Sequence, residues 1–335
     1  MNKIKFLIKA ILKMDYKEMF NVARKISREN NRLTLITFFD IIWCGLRYGA
    51  GYMDYMEFEF YLLNGEQRKT FLTRAKNNEI VRKYNNKEFN HILNNKIEFN
   101  NMFKEYLHRD FIDVSKCTKK EFRQFCKGKK YVIAKEVDNC GGVGVSKEFV
   151  QDTNRLYEKL KKNKQYLVEE VIVQNSKVSK LYPDSVNTLR LFTFLDDNGE
   201  VQVLNSIFKI GNKGFVDNFA SGGMYTFLDD DGEVICPAID KKDKRYTIHP
   251  ETKEQIIGFK VPNYEKAIDL VKEASLLIPE IRYIGWDVAI TEKGACLVEG
   301  NEFPGVFQIK PSYMDKPEGI LPRYNKYMKW GGKYE

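Results

Sequence analysis

Apolar and polar positions follow two successive patterns along this chain. Between residues 3 and 20, Ile4, Leu7, Ile8, Ile11 and Leu12 recur at helical spacing, while Lys5, Lys9, Lys13 and Lys17 form a ridge on the other side. That spacing predicts a basic amphipathic helix. Its stripe either packs on the next segment or a second subunit, or lies on an anionic membrane surface. Residues 33–63 are rich in apolar and aromatic side chains, interrupted by Gly45, Gly49 and Gly51. Helices are then expected over Glu66–Tyr84 and Lys87–Leu107, with Lys96 near a helix start.

From residue 129 strands alternate with helices. Strands are expected at Tyr131–Ala134, Tyr166–Ile172, Thr188–Leu195, Val201–Ile210, Tyr225–Leu228 and Val234–Ile239, and helices at Phe149–Asn163 and Asn263–Leu277. Two more apolar runs, Ile284–Ile290 and Ala295–Val298, are joined by Thr291-Glu292-Lys293-Gly294, a polar segment suited to a hairpin loop. Asp287 lies inside the first run, and Glu299 and Asn301 close the second. Strand residues two apart share a face, so Glu299 and Asn301 look the same way, and the hairpin can bring Asp287 beside them. Three converging oxygen ligands, two of them anionic, suit a hard cation such as Mg²⁺. The plainer alternative is an edge-strand acid followed by a Glu-Gly-Asn turn.

At 335 residues the chain can bury two or three subdomain cores. The 55 Lys and Arg against 46 Asp and Glu leave a net charge of +9, which favours polyanionic partners: nucleotide phosphates, nucleic acid or a membrane face. No RNA-binding aromatic signature, zinc-finger spacing or helix-turn-helix pattern stands out, so nucleic acid is the weaker partner. The six cysteines are scattered and the three histidines too few for a histidine-rich metal centre, a pattern of reduced thiols expected in the cytoplasm. Leu33–Ala50, the strongest apolar stretch, is interrupted by Asp40 and Arg47. The first residues lack the apolar core and cleavage site of a secretory signal.

Other candidate chemistry precedes the last hairpin. Lys135 leads from a strand into Asp138–Val145, where Gly141, Gly142 and Gly144 would let backbone N–H groups line a phosphate chain. An ordinary β-turn holds as many glycines. Glu169 and Glu170 are adjacent on a strand and so face opposite ways, leaving one free to look into a cleft. Arg190 and Lys209 are cations within two paired strands, and Asp217–Gly223 is a second glycine-containing loop.

The order of these features resembles the ATP-grasp superfamily, which includes D-alanine–D-alanine ligase and the ribosomal-protein glutamate ligase. "SVNTLRLFTF", "VDNFASGG", "IHPETK" and "IGWDVAI…LVEGNEFPG" are most similar to its sugar-transfer-associated branch. The resemblance covers about residues 90–310. It implies an α+β fold in which two subdomains, 91–172 and 173–335, clamp ATP behind a mainly helical region, 1–90. That first region shows no Rossmann-like βαβ pattern.

The resemblance also implies roles. Lys135 would contact the α- and β-phosphates beneath the loop of Gly141, Gly142 and Gly144, and Lys96 would be a first nucleotide lysine. Glu169, Glu170 and Val171 would form the hinge at adenine and ribose. Arg190, Lys209 and Asn218 would surround the γ-phosphate, although the glutamate-ligase relatives often carry arginine at the Lys209 position. Asp287, Glu299 and Asn301 would hold Mg²⁺, with Glu299 bridging two ions. The implied activity is an ATP-dependent carboxylate–amine or carboxylate–hydroxyl ligase of surface-polysaccharide assembly, acting on a small-molecule, nucleotide-sugar or glycan substrate. The same clamp would also serve a kinase, or a non-catalytic nucleotide-binding scaffold for a glycosyltransferase. Arg245 and His249 are candidates for the acceptor pocket, because the branch carries a His-Pro pair there; alternatively His249-Pro250 makes a rigid turn.

Overall fold

A computed structural model describes residues 15–138, 144–212, 214, 217, 219 and 222–329. They form two compact units, one of residues 15–83 and 305–329, the other of Tyr84–Pro304.

In the first unit, Asp15 caps α1 (Tyr16–Glu29) by accepting from the Glu18 N–H at 3.0 Å. Residues 3–14 of the expected amphipathic helix lie outside the described residues. Helix α2 (Thr34–Tyr48) stops at Gly49, whose φ of +68° is a left-handed position that costs glycine little. Ala23, Ile26, Ile41 and Cys44 pack with Tyr55, Phe58, Phe60 and Phe71 into an aromatic-rich core. The expected helix over Glu66–Tyr84 is broken. A short helix, Gly65–Lys69, is followed by buried Phe71 and Leu72, and a new helix starts at Arg74. The Gln308 side chain accounts for the break: it accepts from the Leu72 N–H at 3.2 Å and donates to the Leu72 carbonyl at 2.8 Å. It thereby satisfies backbone groups that helix would otherwise pair.

The second unit is α+β. The expected helix Lys87–Leu107 is a series of short helices, because Asn95 sits in an extended conformation and its side chain accepts from the Ile97 and Glu98 N–H groups. That cap starts α3 (Lys96–Met102). An antiparallel sheet of four strands follows in the order β1 (Phe111–Asp113), β4 (Leu167–Glu170), β2 (Tyr131–Lys135), β3 (Val145–Phe149). Helices α4 (Lys119–Cys126) and α5 (Thr153–Lys162) cover it through Phe122, Leu156 and Leu160, packed on Val132, Ala134 and Val168. Helix α5 begins later than expected because Asp152 caps it and Phe149 still belongs to β3.

Seven antiparallel strands form the larger sheet. Its order is β11 (Gly294–Asn301), β10 (Tyr283–Thr291), β5 (Thr188–Leu195), β6 (Val201–Ile210), β7 (Met224–Phe227), β8 (Ala238–Asp240), β9 (Arg245–Tyr246). Period-two alternation gives the sheet two different faces. Leu189, Leu191, Trp286 and Val288 share a core with Ala267, Val271 and Ala274 of α6 (Tyr264–Leu276). The Trp286 indole is satisfied there by Thr193 and Ser275, at 2.9 and 3.0 Å. On the other face the ladders align Thr188 with Lys209, Arg190 with Asp287, and Asp287 with Glu299. The fold thus delivers polar side chains from four adjacent strands to one surface.

Candidate active site

A cleft of about 160 Å³ opens between the polar face of the large sheet and the face of the small sheet that α4 and α5 leave uncovered. Lys135, Glu169 and Glu170 line it on one side and Thr188, Lys209, Asp217, Asp287 and Glu299 on the other, with Lys96, Arg109 and Val171 completing it.

Asp287 is the centre of charge on the large sheet. Arg190 grips it with two nitrogens, Nε on Oδ1 at 2.5 Å and Nη2 on Oδ2 at 2.9 Å, and Lys209 Nζ adds a third bond at 2.9 Å. Such a grip on a nearly inaccessible carboxylate is the geometry that arginine's planar fork provides. Burial alone would raise the Asp287 carboxyl, but Arg190 and Lys209 overcome it and hold the group well below the usual carboxylate range. Gly285 makes room for this arrangement: a Cβ there would lie 2.8 Å from Pro304 and 3.2 Å from the Arg190 side chain.

Across the ladder, Glu299 behaves oppositely. A register shift after Asp287 leaves Asp287 opposite Glu299 and Val288 opposite Leu297, so Val298 is the extra residue. Burial first, and then the neighbouring Asp287 carboxylate, push the Glu299 carboxyl upward, and the two groups share a hydrogen bond. Two facing carboxylates of which one is driven toward its protonated form make a donor set that fits a hard divalent cation, which relieves the same repulsion. Among the described residues no three His, Cys, Asp or Glu side chains gather as a metal site, so a third protein ligand would be a neutral oxygen such as an amide's. Asn301 has one, although it does not line the cleft and its Nδ2 donates to the Gly285 carbonyl at 3.3 Å.

On the small sheet, Glu169 is a second buried hub. It accepts from Asn100 at 2.7 Å and from Arg109 at 2.7 and 3.1 Å, and Lys135 pairs with its other oxygen. Burial opposes its charge, yet Arg109 and Lys135 bring its carboxyl down to about 2. Glu170 turns the other way, taking the Asp110 N–H at 3.0 Å and Lys129 at 2.9 Å. Lys96 lines the cleft with its Nζ 3.5 Å from the Val137 carbonyl. Gly144 has φ +72°, and a Cβ there would strike the Glu136 side chain at 2.6 Å. Gly141, Gly142 and Asn218 lie outside the described residues.

The cleft also contains residues that the sequence did not single out. Arg109 bridges Glu169 to the Leu107 and Leu297 carbonyls, at 3.2 and 2.5 Å, tying the small sheet to β11. Asp217 is buried, which raises its carboxyl, and accepts from both the N–H and the hydroxyl of Thr188. The sequence signal for Asp217 is that it opens the "DNFASGG" loop, whereas Arg109 carries none.

Arg245 and His249 are outside this cleft. Arg245 is exposed on β9, whereas His249 is fully buried. The His249 ring meets the Gly211 carbonyl at 2.8 Å through Nε2, and Nδ1 accepts from the Glu251 and Thr252 N–H groups at 3.3 Å. Both nitrogens are thus engaged in holding the turn.

Three comparisons bear on this arrangement. No curated protein matches the sequence. Among solved structures, the ATP-grasp ligase PsnB, complexed with minimal precursor, Mg and ADP, is 12% identical with a TM-score of 0.41. The match covers 72% of this chain and 60% of that one, so the chain spans less than two thirds of its length. The D-alanine–D-alanine ligase of Bacillus anthracis is 14% identical with a TM-score of 0.37, over 72% of this chain and 67% of that one. Likenesses at this level carry no inference about chemistry. The family model described as sugar-transfer associated ATP-grasp, by contrast, matches residues 144–327, more than half of the chain, and includes β4 to β11 with the Arg190, Lys209, Asp287 and Glu299 cluster. The fold is therefore ATP-grasp, and the chain belongs to the sugar-transfer associated ATP-grasp family.

Proposed function

We propose that this chain is an ATP- and Mg²⁺-dependent ligase that activates a substrate carboxylate as an acyl phosphate and joins it to an amine or hydroxyl. The observation that carries this reading is the convergence of Arg190 and Lys209 on Asp287, directly opposite Glu299. A carboxylate attacking a polyphosphate brings anion to anion, and a reaction of that kind is served by fixed cations beside paired metal ligands. The two sheets would clamp the nucleotide as parts of the subdomains 91–172 and 173–335.

In this reading Lys135 and Lys96 bind the α- and β-phosphates, with Gly141, Gly142 and Gly144 above them, and Glu170 and Val171 present the adenine and ribose hinge. Arg109 and Glu169 keep Lys135 oriented. Arg190 and Lys209 hold the γ-phosphoryl group in line with the attacking carboxylate, together with Asn218. A new O–P bond forms as the β–γ bridging bond breaks and its electrons leave with ADP. The amine or hydroxyl then attacks the acyl carbon, phosphate departs with the C–O electron pair, and the nucleophile's proton passes to solvent. Asp287, Glu299 and Asn301 would hold two Mg²⁺ ions, which would supply positive charge to offset that of the transferring phosphates.

The family's sugar-transfer description favours a nucleotide-sugar or glycan-linked substrate in surface-polysaccharide assembly. The lysine ridge of residues 3–20 fits peripheral contact with the inner face of a membrane. Among the described residues no helix is long and apolar enough to cross one. The test is mass spectrometry of products after incubation with Mg·ATP, candidate amino acids and nucleotide sugars. A condensed product accompanied by ADP and phosphate supports the ligase; ATP binding without any turnover across such a panel points to a scaffold.

A further inference from the structure

Helix α2 is apolar almost all round, with Asp40 and Arg47 as its only charged residues. A helix of that kind is normally enclosed by protein. Among the described residues only one side is. Thr37, Ile41, Cys44 and Tyr48 are buried, whereas Leu35, Ile36, Phe39 and Trp43 remain 64, 57, 63 and 57% exposed. Leu35, Phe39 and Trp43 are four residues apart and so form one ridge, roughly 12 Å long at the helical rise per residue. Asp40 does not interrupt it, because both its oxygens turn inward to Arg68 at 2.7 Å and Oδ2 also accepts from Tyr55.

The surroundings of the ridge are basic. The first 48 residues contain ten Lys and Arg against four Asp and Glu, which is +6 of the chain's +9. Lys17, Arg24, Lys25 and Arg28 are exposed on α1, which packs beside α2. Arg24 lies over the Phe20 ring at 5.2 Å, Phe20 meets Phe38 at 5.8 Å, and Phe38 meets the exposed Phe39 at 5.6 Å. Positive charge therefore runs directly into the apolar ridge.

We infer that this ridge is an insertion surface for an anionic lipid bilayer. Aromatic and aliphatic side chains rimmed by Lys and Arg match the interfacial layer, where rings enter the acyl boundary and cations meet anionic headgroups. A second copy of the chain would bring two strongly positive surfaces together, which opposes self-association. The inference extends the contact proposed for residues 3–20 to a face built into the folded unit, and it does not rest on the ligase reading.

The experiment is vesicle flotation of the full chain, using phosphatidylcholine alone or mixed with phosphatidylglycerol. Binding is expected only with phosphatidylglycerol, weakening with salt, with a blue shift in tryptophan emission that Trp43→Phe removes. Phe39→Ser and Trp43→Ser, both at exposed positions, should each lower partition by about tenfold, the scale of one large apolar side chain losing its burial. Far-UV circular dichroism and ligase turnover in solution should not change. Unaltered flotation of both serine variants, with loss only when Lys5, Lys9 and Lys13 are replaced by Glu, would overturn the ridge as the inserting surface. So would failure of the native protein to float, or light scattering showing a dimer that Phe39→Ser dissociates.

Discussion

Glu299 faces Asp287 directly across the β10–β11 ladder, and the two carboxyls are driven in opposite directions while sharing a hydrogen bond. Asp287 stays charged because Arg190 and Lys209 hold it; Glu299, which Arg190 reaches only at 4.0 Å, stays opposed by its neighbour. A pair of this kind favours the arrival of further positive charge. Glu299→Ala should therefore abolish Mg²⁺-dependent turnover, by at least ~10²-fold, the scale of removing a key electrostatic stabiliser. Removing a carboxyl that burial and Asp287 both oppose should leave the fold intact. Full activity in the variant, by ADP release at saturating Mg²⁺, would remove Glu299 from the site.

Glu169 gives a stability prediction with a defined pH window. Its carboxyl lies at about 2 when folded against an ordinary value of 4.5, and the group is 1% exposed. A depressed folded value means the stabilisation is fully present above the ordinary value and is lost as pH falls from there toward about 2. The shift corresponds to about 3 kcal/mol at neutral pH. Glu169→Gln removes this counter-charge from Arg109 and Lys135, which is the same interaction seen from the cations' side. Urea unfolding should show the variant about 3 kcal/mol weaker at neutral pH, with the gap narrowing below pH ~4. A gap that is constant with pH would mean that the charge of Glu169 is not what stabilises.

The split between ligase and kinase is open to direct trapping. If an acyl phosphate forms, hydroxylamine added during turnover should yield a hydroxamate, and free phosphate should appear with product. A stable phosphorylated product without phosphate release would assign the cleft to a kinase, since the same cations would hold the same γ-phosphoryl group.

What was legible in the sequence follows from the range of the interactions involved. Thr188–Leu195 and Val201–Ile210 appear as strands with the expected bounds, because one face of each is pinned to the α6 core and alternation reports that face. Asp287, Glu299, Arg190 and Lys209 converge as neighbouring strands, which local pattern and hairpin loops can convey. Long-range side-chain partners could not be read. The break at Leu72 is made by Gln308, 236 residues away, and Glu169 is held by Arg109, 60 residues away, in a segment with no motif. Single polar residues that act on distant backbone leave no periodic trace.

The last prediction separates Arg245 from His249, which lie four residues apart but in unlike surroundings. His249 is fully buried, its ring 5.4 Å from that of Tyr182, and its nitrogens meet the Gly211 carbonyl and the two N–H groups of its own turn. His249→Ala would leave a cavity and three unmet backbone groups, and should cost about 2–4 kcal/mol in urea unfolding. Arg245 is exposed and carries a planar cation suited to a carboxylate or phosphate. If it meets the acceptor, Arg245→Ala should raise the acceptor KM while stability and ATP affinity stay close to the native values. The two measurements must diverge for this assignment to stand: a His249→Ala protein of native stability with a raised acceptor KM would return the ring to the pocket, and an Arg245→Ala protein with native kinetics would remove the arginine from it.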